Sequence, residues 1–526
     1  MSNSVAIGNI TKLGAAQIAA EIAAGHLSAV EVVEAHIRRI ESVNPVLNAL
    51  VVPLFEQALA SAKRADEQRG ARAPLGPLHG VPMTLKECID VQGTPSTWGL
   101  TTRAGEIAEH DDPFVTKLRE AGAIILGKTN VSQLLMSIEA RNPVYGVTNN
   151  PWRPQERSSG GSSGGEGALI AAGGSPLGIG TDIGGSVRYP AHFCGIHGLK
   201  PTSGRVRMGL TPGISHVSPV AGVMAQPGPL ARQVADLGLA LRVMNSADQP
   251  CPERAEPLAL QGMKIGMFLD DTIVSPSPAI RRTIMEAAQA LKARGAIIEE
   301  FTPPDLQQVV ANFLQIMCSD GGQGMLRTLG ASKLEPDIAL MLQSQRWSKG
   351  KRLFTAQLLK LAGQRKVASI LLPNVGMVPS KHLASLIAAR ESYKEAFVTL
   401  MQQRGLAAII CPPYPLPALR HHDKTRLTLD GAYALLFNFL QMPAGVVSLS
   451  RVRPGEESDR PNSRDLIDRI PQAIESNSAG LPVGVQVASL HWREDIVLAI
   501  MQALEEDFAA SPDYPVNHSP LACIGN

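Results

Sequence analysis

Residues 158–188 hold eleven glycines and six serines, yet apolar residues stand between them. Ala168-Leu-Ile-Ala-Ala172 reads as a short helix and Pro176 to Ile179 as a short apolar strand. A Gly/Ser linker stays flexible because it carries nothing to bury. Apolar elements bracketed by glycines need a core to close on them, with glycine where the backbone turns sharply. The segment is therefore expected inside a fold, not between folds.

Helix and strand patterns alternate around it. Ser28-Ala-Val-Glu31 is a capping box opening a helix that runs to about Ser42. A second amphipathic helix covers roughly Leu54 to Gln68. Gly80 to Val91 reads as strand interrupted at Lys86-Glu87, Phe114 to Ala121 as helix, and Ala123 to Leu126 as buried strand. Further on, Met263 to Phe268, Leu406 to Cys411 and Leu481 to Val487 read as strands, and Ala279 to Arg294 and Asp495 to Glu505 as helices. Residues 304–403 are mainly helical, and Arg451 to Asn477 reads as a polar surface loop. This alternation predicts an α/β layered architecture.

Composition narrows the function. Apolar residues make up 44% of the 526 but aromatics only 4%, so the core must be mostly Ala, Leu, Ile and Val. A formal charge of +2 leaves no nucleic-acid footprint. Cys88, Cys194, Cys251, Cys318, Cys411 and Cys523 lie far apart, with neither CxxC nor zinc spacing. Reduced thiols in a cytoplasmic protein are expected, and the N-terminus shows no secretory signal. Asn438, Gln441 and Pro443 interrupt the apolar run 431–449, so a buried helix followed by a strand is expected there.

Several motifs match a pattern and fail its context. Gly122-Ala-Ile-Ile-Leu-Gly-Lys128-Thr129 fits the phosphate loop, but Ala, Ile, Ile and Leu prefer an extended strand to a curl around an anion. A nucleotide-binding protein built on Lys128 is the non-enzymatic alternative. Gly160-Gly-Ser162-Ser-Gly164 fits the nucleophile elbow, yet Arg153 to Ser159 before it is no strand. Ser348 to Lys351 fits SxxK inside a basic run. His110-Asp111-Asp112 and His421-His422-Asp423 lack a complementary cluster, so no metal is expected.

One constellation holds. In Gly178-Ile-Gly-Thr-Asp182-Ile-Gly-Gly-Ser186-Val-Arg188 an apolar strand ends in two glycines and a serine. Consecutive free amides beside a hydroxyl suit acyl transfer, which needs a nucleophile next to an oxyanion hole. With Gly161 to Ile170, Gly198-Leu-Lys-Pro-Thr202, Gly80 to Glu87, Gly127-Lys-Thr-Asn130, Pro443 to Val447 and Gly480 to Gln486, this segment resembles the amidase-signature family. The resemblance covers roughly Leu27 to Glu505. Within the family, Gly164 to Ile170, Phe439 to Val447 and Leu490 to Glu494 look most like the fatty acid amide hydrolases.

The resemblance implies a single large domain over 1–526, with a mixed, twisted central β-sheet covered by helices on both faces. Its parts would be a signature core at about 80–245, a helical elaboration at about 304–403 and a C-terminal return at about 404–510. It implies a serine amidase without cofactor acting on N-acyl or fatty acid amides. Ser186 would be the nucleophile, Ser162 the bridging serine and Lys86 the base. The amides of Ile183, Gly184, Gly185 and Ser186 would form the oxyanion hole, with Asp182 and Arg188 as supports. A lysine must be neutral to act as base, and burial in the apolar strand Val81 to Leu85 favours that form. The rival enzyme is the glutamine-hydrolysing A subunit of a tRNA-dependent amidotransferase. The partner expectations are a small-molecule amide, a homodimer, and peripheral membrane contact through about 346–372. There Leu353, Phe354, Leu358 and Leu361 share an arc of a basic helix. The competing expectation is that those leucines pack that helix onto the domain.

Overall fold

Short buried strands set the frame. The computed structural model describes residues 10–209, 224–248, 258–271, 273–345, 347–365, 368, 379–421, 431–518 and 521. Its strands are β1 (Leu50–Pro53), β2 (Pro82–Lys86), β3 (Ile124–Thr129), β4 (Arg141–Asn142), β5 (Gly146–Val147), β6 (Leu177–Asp182), β7 (His197–Lys200), β8 (Gln226–Ala231), β9 (Lys264–Met267), β10 (Ile297–Glu300), β11 (Ala408–Cys411), β12 (Ala444–Arg451) and β13 (Pro482–Ser489). Eleven of them form one sheet in the order β1-β3-β2-β6-β8-β7-β12-β13-β11-β9-β10. The β3/β2/β6 and β11/β9/β10 neighbours run parallel and the others antiparallel, so the sheet is mixed. Helices flank it in a single α/β domain whose main core is Ala, Leu, Ile and Val.

The capping box forms as read: Ser28 Oγ accepts from Glu31 N and Glu31 Oε2 from Ser28 N. The helix it opens, Ala29–Leu47, passes Ser42 and contains Pro45 in its last turn. The strand at Gly80 to Val91 is shorter than expected: β2 stops at Lys86, and Glu87 turns away to accept from Thr97 N and Trp98 N. Residues 451–477 are not all loop. Leu466–Glu475 is helical, with Ile470 and Ile474 packed on the core. Its polar flanks hid that apolar spacing. Strand β8, with Pro227 and Pro229, went unread because proline rarely sits in a central strand. Its pairing to β7 is confined to Leu230 and Ala231, beyond both prolines.

The segment 158–188 lies inside the fold, almost wholly buried. Its helix is Gly164–Ala171 and its strand is β6, both fully buried. Alternate residues of a strand share a face. Gly178 and Gly180 share one face of β6, and a Cβ there would stand 1.9 Å from Glu166 Oε2 or 2.6 Å from Ser163 Oγ. Their bare backbone lets the start of the helix lie directly on the strand.

Candidate active site

Lys86 ends β2 and is fully buried. Its Nζ donates to Ser162 Oγ at 2.6 Å, to Thr181 Oγ1 at 2.8 Å and to Thr181 O at 3.3 Å. Burial pushes its pKa down to about 8, against the pull of Cys88, Asp182 and Glu166. Ser162 follows a cis peptide bond from Gly161. Gly161 lies so close to the 137–139 loop that a Cβ would sit 2.4 Å from Ser137 O.

Ser186 stands two residues before the Arg188–Cys194 helix, in a turn that Gly185 makes at φ +113°. A Cβ on Gly185 would enter the Tyr189 ring at 2.2 Å. Asp182 holds this turn. Its Oδ1 accepts from Gly185 N (2.8 Å), Arg188 Nη2 (2.9 Å) and Asn438 Nδ2 (3.0 Å), and its Oδ2 from Val187 N (3.1 Å) and Arg188 Nε (3.0 Å). Burial alone would raise this carboxyl. Arg188, its hydrogen bonds and Lys200 outweigh burial and hold it well below the usual carboxylate range. Arg188 also donates to Ala434 O, Gln486 Oε1 and Asn438 Oδ1.

Ser162 and Ser186 line one cavity. Trp98, Leu134, Leu135, Met136, Ala225 and Met317 give it an apolar wall. Trp98, Leu134 and Leu135 hold positive φ, which bulky residues rarely adopt. Such conformations persist only where the surroundings fix them, and they concentrate at ligand clamps.

The structure thus brings together Lys86, Ser162, Asp182, Ile183, Ser186 and Arg188. Sequence reading missed Thr181, Glu166, Asn438 and Gln486. Thr181 and Glu166 lie inside the glycine-rich segment, but a threonine or a glutamate there carries no pattern of its own. Asn438 and Gln486 were noticed only as polar breaks or family words. Both are fully buried, and a buried amide needs partners, which here are Asp182 and Arg188.

The other motifs do structural work. Lys128 lies in extended β3, and its buried Nζ donates to Pro95 O, Ser96 Oγ and Thr94 Oγ1. Ser348 caps the Lys349–Leu361 helix, accepting from Lys351 N. Asp112 caps Pro113–Glu120, and Asp111 pairs with Arg119. His421 pairs with Glu139, while His422 and Asp423 lie outside the described residues. Cys88, Cys194, Cys318 and Cys411 are free and buried, and Cys251 and Cys523 lie outside the described residues. No group of metal-ligating side chains occurs among the described residues.

A buried lysine on a serine, beside a glycine turn and an apolar cavity, is an arrangement able to serve acyl transfer, and comparison with known proteins gives the family. The amidase family model matches residues 31–498. The chain belongs to the amidase family and is an amide hydrolase. It is 33% identical over 515 residues to fatty acid amide hydrolase 1 of Caenorhabditis elegans, covering 93% of this chain and 87% of that protein. It is 34% identical over 510 residues to fatty-acid amide hydrolase 1 of Sus scrofa, covering 93% and 84%. A solved fatty acid amide hydrolase superposes with a TM-score of 0.81 at 24% identity, over 98% of this chain and 87% of that one, which shows the shared fold.

Proposed function

We propose that the chain hydrolyses N-acyl amides with apolar acyl groups through an acyl-Ser186 intermediate, using Lys86 as base and Ser162 as relay. The observation that carries this is the 2.6 Å contact of buried Lys86 Nζ with Ser162 Oγ beside an apolar cavity. A serine hydroxyl attacks only when a base takes its proton. Neutral Lys86 takes the Ser162 proton as Ser162 takes that of Ser186, and Ser186 Oγ adds to the amide carbon. The relay then reverses and protonates the leaving amine. Water, deprotonated along the same path, releases the acid. The developing oxyanion faces the amides of Ile183, Gly184 and Ser186. The Gly185 amide, expected in the same row, is aimed instead at Asp182 Oδ1 and holds the turn. Asp182 and Arg188 act as supports.

Among the described residues the cavity wall is mostly apolar, which suits an acyl chain and favours this reading over the amidotransferase subunit. Buried Lys128, tied to the 94–96 loop, leaves nucleotide binding without support. The test is a hydrolysis panel on the purified chain alone, with acyl groups from two carbons upward, in wild type and Ser186→Ala. Long acyl amides should be preferred and Ser186→Ala inactive. Fluorophosphonate labelling should fall on Ser186. Labelling at Ser162 or Ser163, or turnover of glutamine in preference to acyl amides, overturns the reading.

A second feature bears on how such substrates arrive. Lys349–Leu361 leaves Leu353, Phe354, Leu358 and Leu361 exposed by 50–76%, beside Lys351, Arg352 and Lys360. Its other side packs instead, through Ala356 and Leu359, with Trp347 and Ala368. These leucines do not pack the helix onto the domain. An apolar stripe flanked by basic residues suits peripheral contact with an anionic membrane. Arg346, Lys366 and most of 367–372 lie outside the described residues. Among the described residues no helix is long and apolar enough to cross a membrane.

A further inference from the structure

Glu166 is fully buried in the first turn of the Gly164–Ala171 helix, four residues after Ser162. Its Oε2 accepts from Thr84 Oγ1 at 2.7 Å and its Oε1 from Thr129 Oγ1 at 2.8 Å. Both hydroxyls flank Lys86. Thr84 is two residues earlier on β2, hence on the same face, and Thr129 is the register partner of Lys86 on β3. The third wall of the cradle is Gly178, opposite Thr84 on β6, where any side chain would collide with Oε2. A carboxyl has thus been set under the strand end that carries the lysine, in space cleared for it.

We propose that Glu166 is a positioning residue of the hydrolytic reaction: held by Thr84 and Thr129, it fixes the end of β2 and places its carboxyl beneath Lys86. This rests on the reading of Lys86 as the base. The partners are apt for the task. A threonine hydroxyl can donate to a carboxylate or accept from a carboxylic acid, so the cradle stays satisfied in both protonation states. A cradle of backbone amides would hold only the anion. Burial pushes Glu166 up to about 8, against its two hydroxyl bonds and Lys86, and burial brings Lys86 down to about 8. Each acts on the other through charge: Lys86 pulls Glu166 down and Glu166 pulls Lys86 up. Protonated Glu166 leaves Lys86 free to be neutral, whereas ionised Glu166 holds the proton on Lys86.

The other charged or titratable groups near Lys86 are Asp182 on β6 and Cys88 on its own segment, both of which favour the ammonium. Their neighbours Glu87 and Lys128 hydrogen-bond to the 94–98 loop, and Glu87 also accepts from Tyr145 Oη.

The test is the pH profile of kcat/KM for amide hydrolysis. Glu166→Gln keeps both hydroxyl contacts, one accepting and one donating, and removes the charge. Removing an attracting charge lowers a lysine pKa, and Glu166 is the weakest of the three groups that raise Lys86, so the rising limb should move to lower pH by up to about one unit. Thr129→Val removes one donor from the carboxylate, keeps Glu166 protonated to higher pH, and should move the limb the same way by less. It also carries the test if Glu166→Gln does not fold. An unmoved limb in the folded variants, or a uniform loss at every pH, makes Glu166 merely structural and overturns the proposal. Lys86→Ala separates the two levels. If the wild-type limb persists without Lys86, the base assignment fails and the proposal with it. A limb that needs Lys86 but ignores both substitutions overturns only the role of Glu166.

Discussion

Asp182→Asn is the sharpest test of how the serine turn is held. The substitution keeps shape and removes charge. If the asparagine oxygen takes the place of Oδ1, it still accepts from Gly185 N, Arg188 Nη2 and Asn438 Nδ2, but its amide group then faces Val187 N and Arg188 Nε. The opposite orientation strands three donors instead of two. Each stranded buried donor costs about 1–3 kcal/mol. Breaking a buried ion pair from one side costs about 3–5 kcal/mol, and the two figures describe largely the same loss. We expect about 3–5 kcal/mol of destabilisation, read as a lower denaturant midpoint. Activity should fall at least about 100-fold, the scale of losing one oxyanion donor. The pH dependence has a definite sign. The folded carboxyl lies below its unfolded value of about 3.9, so its contribution is complete above that pH and fades as pH falls further. The wild-type advantage over Asp182→Asn should therefore be constant from neutral pH down to about 5 and shrink below about 4. A midpoint within about 1 kcal/mol of wild type, with activity within about tenfold, would refute the reasoning.

Three further outcomes are expected. Activity should rise with pH through about 8 as Lys86 loses its proton, and Lys86→Ala should remove that rise and cost more on amides than on esters, whose alkoxide leaving groups depend less on protonation as they depart; stopped-assay profiles check it. Gly178→Ala should be destabilised by about 1–3 kcal/mol through its collision with Glu166, measured by thermal unfolding. Phe354→Ser with Leu358→Ser should weaken binding to anionic vesicles at least about tenfold, since full burial of each apolar side chain is worth about 1.5–3 kcal/mol. Hydrolysis of short acyl amides should be unaffected, and absence of vesicle binding by wild type at low salt removes the membrane reading.

Legibility followed the range of the interaction. Ser28 to Glu31 was readable because a capping box closes within four residues, and a strand at Ala123 to Leu126 because its apolar run excludes a phosphate loop, although β3 continues to Thr129. Strand β8 was not, since Pro227 and Pro229 argue locally against a strand that its neighbours β6 and β7 nevertheless hold. Lys86, Ser162 and Ser186 were named through the family resemblance, carried by the glycine-rich words around the two serines and by Gly80 to Glu87. Asn438 and Gln486 could not be assigned a place at the site, because their partners lie far away in the chain. The engagement of Gly185 N by Asp182 depends on the conformation of the turn, which composition does not specify.

Arg188 reaches Asn438 and Gln486, 250 and 298 residues further along the chain. The glycine-rich segment is therefore unfinished when it leaves the ribosome, with a buried guanidinium awaiting partners from the last fifth of the sequence. Such long-range closure slows folding and exposes partly built intermediates. Any shortened or split version must retain the chain through Gln486, or bring that part back as a second fragment. A piece ending soon after residue 245 would hold both serines and the lysine yet lack the partners that fix their turn.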